Sequence, residues 1–216
     1  MGTPDKSQSF CIGALASGGG TNLQAIMDQC ASERLPAHVG VVISNNSRSG
    51  ALERARRAGI PVFHRSDRTH PQPGALDREI ADILQTHGVD LLVLAGYMKK
   101  LGPLVLGHYA NRVLNIHPAL LPSFGGEGMY GLRVHQAVIE SGVRVTGVTV
   151  HLADEEYDRG PIVAQETVRV GFDDTAESLA RKVLNVEHRL YADVIRWFAE
   201  GRVVVEGKRV TVLNGA

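Results

Sequence analysis

Apolar residues along this chain fall into short unbroken runs, separated by longer stretches in which they recur every three or four positions. Phe10–Ala16, His38–Ser44, Pro61–His64 and Asp90–Gly96 are runs of the first kind. Bounded by turn residues and only a few positions long, they predict strands covered on both faces. Between them the period changes. Leu23, Ile26 and Met27 mark one helix, about Ser49 to Ala58 a second that Gly59 stops, and about Ala75 to Thr86 a third. Pro103 opens a short fourth, in the position proline tolerates. Strand–helix alternation over the first two thirds predicts an α/β fold: an open, mostly parallel, Rossmann-like sheet flanked by helices.

The last third changes character. A strand at Val113–His117 is followed by a helix over about Leu132–Glu140, and Val143–Leu152 then alternates as a strand with two distinct faces. Thr149 and His151 fall on one face of it, Val148, Val150 and Leu152 on the other. A strand over Pro161–Val170 and a long helix ending near Glu200 come next. Leu179, Val183, Val186, Leu190, Val194 and Trp197 form that helix's core stripe. Arg202–Leu213 reads as a hairpin through Gly207. These segments predict an antiparallel C-terminal extension.

Chemistry concentrates at strand ends. Asn115 and His117 lie two residues apart where Pro118 ends a strand, so their side chains project to the same face. An amide donor beside an imidazole suits a reaction in which negative charge grows on one oxygen, and the imidazole can also exchange a proton. The same pair could instead cap backbone groups at a strand exit. The acidic loop Asp154–Gly160 can bring a carboxylate to the histidine. His151 either lines that cleft or sits satisfied in its wall. Ser17-Gly-Gly-Gly-Thr-Asn22 joins the first strand to a helix, which makes an anion site from glycine backbone and a helix N-terminus. No Gly-Lys-Ser/Thr follows, Leu23 replaces the third glycine of a dinucleotide fingerprint, and Ser44-Asn-Asn46 lacks its ribose-binding acid. A single phosphate group fits better than a dinucleotide. Right-handed crossovers put the loops after Ala16, Gly96 and His117 on one sheet edge.

Composition narrows the partners. Lys+Arg and Asp+Glu both number 23 in 216 residues, so no basic surplus points to nucleic acid. No apolar run approaches the ~20 residues of a membrane span, and the polar first nine residues have no signal core and are expected to be disordered. Cys11 and Cys30 make neither a disulfide framework nor a metal motif, and the nine histidines include no His-x-x-x-His pair. The expectation is a cytoplasmic single domain over 1–216 that binds small molecules, with no metal, no membrane and no nucleic acid, as a monomer or homodimer.

Five blocks carry a resemblance across nearly the whole chain. They are Ser-Gly-Gly-Gly-Thr-Asn-Leu-Gln-Ala-Ile at 17–26, Leu-Ala-Gly-Tyr-Met at 94–98, Leu-Asn-Ile-His-Pro-Ala-Leu-Leu-Pro at 114–122, Asp-Arg-Gly-Pro-Ile at 158–162 and Glu-His at 187–188. In them the chain resembles the formyltetrahydrofolate-using enzymes, and among these the glycinamide ribonucleotide formyltransferases of de novo purine biosynthesis. The resemblance implies transfer of a formyl group from 10-formyltetrahydrofolate to a primary amine through a tetrahedral intermediate. It implies that a protonated His117 and the Asn115 amide stabilise the oxyanion, while Asp158 orients the imidazole and favours its charged form. Gly20, Thr21 and Asn22 would hold the substrate phosphate, and Glu187 would contact the ribonucleotide. Met98, Lys99, Lys100 and Leu101, with Asn115 and Asp154, would receive the folate. Residues 10–110 would then be a phosphate-binding half and 111–216 a folate-binding and catalytic half.

Two departures stand out against the same family. An arginine that members use toward the folate tail aligns with Pro71–Gly74, where none is present, and Phe124–Gly131 is longer than in typical members. Two other readings share these residues: a formyltetrahydrofolate hydrolase with water as acceptor, and a non-catalytic phosphosugar-binding module.

Overall fold

The computed structural model describes residues 9–214. The expected disorder of the first nine residues lies outside this range but for Ser9. Five strands, β1 (Phe10–Leu15), β2 (Ala37–Ser44), β3 (Val62–His64), β4 (Leu91–Leu94) and β5 (Val113–His117), run parallel. β6 (Val145–Leu152) joins β5 antiparallel, and β7 (Ile162–Arg169) joins β6 antiparallel. The sheet order is β3-β2-β1-β4-β5-β6-β7. The antiparallel extension is therefore partly inside the main sheet. Only the hairpin of β8 (Val203–Glu206) and β9 (Arg209–Val212) stands apart, turning at Gly207 with φ 59°.

Alternation along each strand sorts side chains into two cores. In β1, Ile12 and Ala14 face one core while Cys11 and Leu15 face the other; in β4, Leu91 and Val93 oppose Leu92 and Leu94. The first core takes α1 (Thr21–Ala31), α2 (Gly50–Arg57), α5 (Leu132–Ser141) and α6 (Ala176–Ala199) through Leu23, Leu52, Val138 and Leu190. The second takes α3 (Ala75–Thr86) and α4 (Pro103–His108) through Ile80, Leu84 and Val105. Val148, Val150 and Leu152 of β6 join the first core, as their period requires.

α6 begins with a capping box, in which Thr175 accepts from the Ser178 backbone and the Ser178 hydroxyl accepts from the Thr175 backbone. Deep in the fold, the fully buried Tyr191 of α6 places its hydroxyl 3.1 Å from the Leu94 carbonyl and 2.9 Å from that of Leu114. This phenol fastens the long helix to the ends of β4 and β5. Burial holds its pKa well above the usual value, so it stays a donor. Tyr191→Phe should lower unfolding free energy by about 1–3 kcal/mol, the usual cost of an unmade buried hydrogen bond. A denaturant midpoint identical to wild type would show that the bond contributes nothing.

The strand order reverses direction between β1 and β4. Open α/β sheets bind ligands at such a switch point, beyond the carboxyl ends of the strands. The segments after β1, β4 and β5 leave from that edge.

Candidate active site

A cavity of about 660 Å³ opens at this edge. Asn22 and Glu187 line one side, Tyr97 and Met98 another, and Asn115, His117 and Asp158 its floor. A smaller recess of about 60 Å³ lies beside it, among Tyr97, Lys99, Lys100, Leu101, His151, Asp154 and Tyr157. Asn115 and Asp158 line both. With Tyr97 and Tyr157, which also line both, these residues stand where the spaces meet.

The floor follows from strand register. Asn115 of β5 pairs with His151 of β6, and His117 with Thr149, which puts the three polar rings and amides on one face. His151 is 2% exposed, and its Nδ1 donates to the Leu152 carbonyl at 2.9 Å. Its Nε2 is thereby left to accept from the Asn115 amide at 3.0 Å. The sequence left His151 between cleft and wall; it touches the smaller recess and holds Asn115 in orientation. Thr149 turns away from chemistry. Its hydroxyl donates to the Ala119 carbonyl at 2.7 Å and accepts from the Leu121 N–H at 3.0 Å, fixing the chain as it leaves β5.

Asp158 arrives from the acidic loop with φ 57°, a left-handed conformation that few non-glycine residues adopt. One carboxylate oxygen is 3.4 Å from the Asn115 amide and 3.5 Å from His151 Nε2; the other is 3.5 Å from His117 Nδ1 and 2.9 Å from the Gly126 N–H. Burial works to raise this carboxyl's pKa. The His151 and His117 rings and the Gly126 N–H outweigh it, holding the group below the ordinary carboxylate value. For His117 the balance goes the other way. Burial lowers its pKa, and Asp158 and the Phe124 carbonyl only partly offset that. The net direction is downward, which favours the neutral form of the ring.

The glycine turn behaves as a helix start open to anions. Gly20, at φ 75°, is the N-cap of α1, and no side chain caps the first turn. A Cβ on Gly20 would lie 2.7 Å from Ala51 Cα, so only glycine lets the turn sit against α2. Gly20 and Thr21 begin the same helix as Asn22 without lining the cavity themselves. Asn22 donates its amide to Glu187 at 3.1 Å, while its own carbonyl oxygen is buried without a partner among the described residues. Glu187, 8% exposed, has its pKa raised by burial, with the Asn22 bond working against it.

Lys99 pairs with Asp67 at 3.4 Å and Lys100 lies 4.8 Å from the Tyr157 ring centroid. The structure also brings in side chains that the sequence did not single out. His135 of α5 is 5% exposed, lines the larger cavity and leaves Nδ1 unpartnered among the described residues. Glu127, Arg133 and Arg181 line the same cavity. Nothing in their local spacing signals this, because α5, α6 and the loop that precedes α5 meet the cleft only after packing.

Comparison with known proteins agrees with this geometry. Residues 12–195 match the family described as formyl transferase. A chloroplastic phosphoribosylglycinamide formyltransferase of Arabidopsis thaliana is 43% identical over 194 residues, 89% of this chain and 66% of the relative. The Escherichia coli phosphoribosylglycinamide formyltransferase is 39% identical over 192 residues, 89% of this chain and 88% of that one. The crystal structure of glycinamide ribonucleotide transformylase 1 from Symbiobacterium toebii superposes with a TM-score of 0.91 at 45% identity, over 99% of both chains. On a family match that spans most of its length, and on a fold shared almost end to end, this chain belongs to the formyl transferase family.

Proposed function

We propose that the protein transfers a formyl group from 10-formyltetrahydrofolate to the primary amine of glycinamide ribonucleotide, in de novo purine biosynthesis. The observation that carries this reading is that Asn115 and Asp158 line both spaces. Donor and acceptor would enter from opposite sides and meet over them.

The ribonucleotide fits the larger cavity. Its phosphate would sit on the uncapped start of α1 at Gly20, Thr21 and Asn22. Glu187, whose carboxyl burial pushes up, and the unpartnered Asn22 oxygen suit sugar hydroxyls. The folate, a substrate consumed each turnover, would lay its heterocycle along Met98–Leu101 beneath Asp154–Asp158. The recess there is well below the ~300 Å³ of a typical ligand pocket, so an outward movement of the acidic loop would make room for it. No metal is needed for this chemistry.

The contacts around the floor divide by length. His117, Asp158 and Asn115 are held from behind at 2.8, 2.9 and 3.0 Å, whereas their contacts with one another are 3.4–3.5 Å. Long contacts of this kind are the ones a substrate replaces. As the amine nitrogen bonds to the formyl carbon, neutral His117 accepts its proton at Nδ1. The new imidazolium is stabilised by Asp158, and with the Asn115 amide it donates to the oxygen on which charge grows. When the bond from carbon to the folate nitrogen breaks, His117, directly or through water, returns the proton to that nitrogen.

The test is folate absorbance on mixing the protein with 10-formyltetrahydrofolate, with and without glycinamide ribonucleotide. Consumption should require the amine, vanish in His117→Ala, and fall about 100- to 1,000-fold in turnover in Asn115→Ala, the usual loss for one oxyanion donor. Consumption without the amine would identify a hydrolase instead. No consumption in either arm would leave a phosphosugar-binding module.

The free thiols of Cys11 and Cys30 suit a reducing compartment such as the cytoplasm. Burial pushes the Cys30 thiol up to about 11, which keeps it unreactive. Among the described residues no helix is long and apolar enough to cross a membrane.

A further inference from the structure

The segment Phe124-Gly125-Gly126 makes two contacts that the formyl-transfer reading does not require. The Phe124 carbonyl accepts from His117 Nε2 at 2.8 Å, and the Gly126 N–H donates to Asp158 at 2.9 Å. We propose that this segment is a positioning element of the reaction, holding His117 and Asp158 from behind through its backbone and leaving His117 Nδ1 as the atom that exchanges the proton. The proposal rests on the formyl-transfer reading for its kinetic consequence, but not for its account of the ring.

Three features support it. First, the carbonyl is fixed. Phe124 has φ 55°, and its side chain packs against the larger core, so the backbone cannot turn freely. A carbonyl only accepts, so His117 must carry hydrogen on Nε2. In the neutral ring this leaves the lone pair on Nδ1, the nitrogen that faces Asp158 and the floor of the cavity.

Second, Gly125 is the place where the segment presses against its support. A Cβ there would collide with Leu121 Cδ2 and lie 3.3 Å from Asp158 Cβ. Its backbone is not left-handed, so an alanine there is opposed by the Leu121 and Asp158 side chains, which would have to shift, and not by φ. Third, the chain continues from Gly126 to Arg133 as a wall of the larger cavity. One loop thus touches the acceptor's space and both reacting side chains. His135 and His151 are the other titratable groups facing His117, and neither bonds to its ring.

The test combines two measurements. In wild-type protein without ligands, nitrogen chemical shifts of labelled histidine should show His117 as the Nε2–H tautomer. Gly125→Ala should lose that signature and lower kcat for amine-dependent transfer about 100-fold, the scale of an ångström-sized misplacement, while KM for the amine changes little. Leu121→Val removes the Cδ2 atom that the new methyl meets. Combined with Gly125→Ala, it should restore the tautomer and at least a tenfold share of the lost kcat. An Nδ1–H tautomer in wild type overturns the proposal even if the enzyme is not a formyl transferase. So does a Gly125→Ala enzyme with kcat within twofold of wild type, or a double variant that refolds to wild-type stability without regaining kcat. If wild type transfers no formyl group while the tautomer signature holds, the functional reading fails and the positioning of the ring stands.

Discussion

Asp158→Asn should lower kcat by about 100- to 10,000-fold, the range for losing a group that supports proton transfer, while leaving the fold intact. Asparagine tolerates the left-handed backbone that Asp158 adopts at φ 57° and keeps the side-chain shape, so the substitution removes the charge and one of the two acceptor oxygens that face Asn115 and Gly126. The sign of the accompanying titration is fixed. Asp158 raises the His117 pKa against the larger lowering by burial, so removing its charge must move His117 further down. Histidine NMR should place the wild-type His117 midpoint below the ordinary value of about 6.5, and that of Asp158→Asn lower still. A wild-type midpoint above 7 would mean that the ring rests charged, and the proton-transfer route through a neutral Nδ1 would have to be abandoned.

Gly160→Ala should cost about 3 kcal/mol of stability and reduce activity with it. A Cβ at the buried Gly160 would fall on the Leu152 carbonyl oxygen, a backbone atom that cannot swing aside. That oxygen also accepts from His151 Nδ1, and Leu152 N–H closes the base of the acidic loop on the Pro161 carbonyl at 2.8 Å. Displacing it therefore disturbs His151, the Asn115 amide that His151 holds, and the loop that delivers Asp158. Gly107→Ala makes a fair control, because a Cβ there meets nothing within 4 Å. Thermal and denaturant unfolding of both variants, with kcat measured on each, would separate the effects. If Gly160→Ala matched Gly107→Ala in midpoint and turnover, the loop would not be anchored as described.

Much of this was legible in the chain itself. The apolar runs of β1 and β4 and the three- and four-residue stripes of α3 and α6 mark their elements because burial demands those periods locally. The i, i+2 spacing of Asn115 and His117 put them on one face for the same reason, and the glycine turn announced an uncapped helix start. The floor of the cavity was only half written there. That His151 sits opposite Asn115 depends on the antiparallel register of β5 and β6. That Asp158 reaches both histidines depends on a left-handed residue in a loop, a conformation that its spacing along the chain does not reveal.

Readable along the chain, then, are the order and type of the elements, the sheet edge at which polar groups gather, and the family blocks that suggested formyl transfer. Local periodicity and short-range spacing encode these directly. Packing sets the direction in which the His117 pKa moves and brings His135, Glu127, Arg133 and Arg181 to the cavity. It also decides the bracing of His117 and Asp158 by Phe124 and Gly126. Each of these depends on how deeply a group is buried and on which distant segment packs beside it, and residue spacing along the chain carries neither quantity.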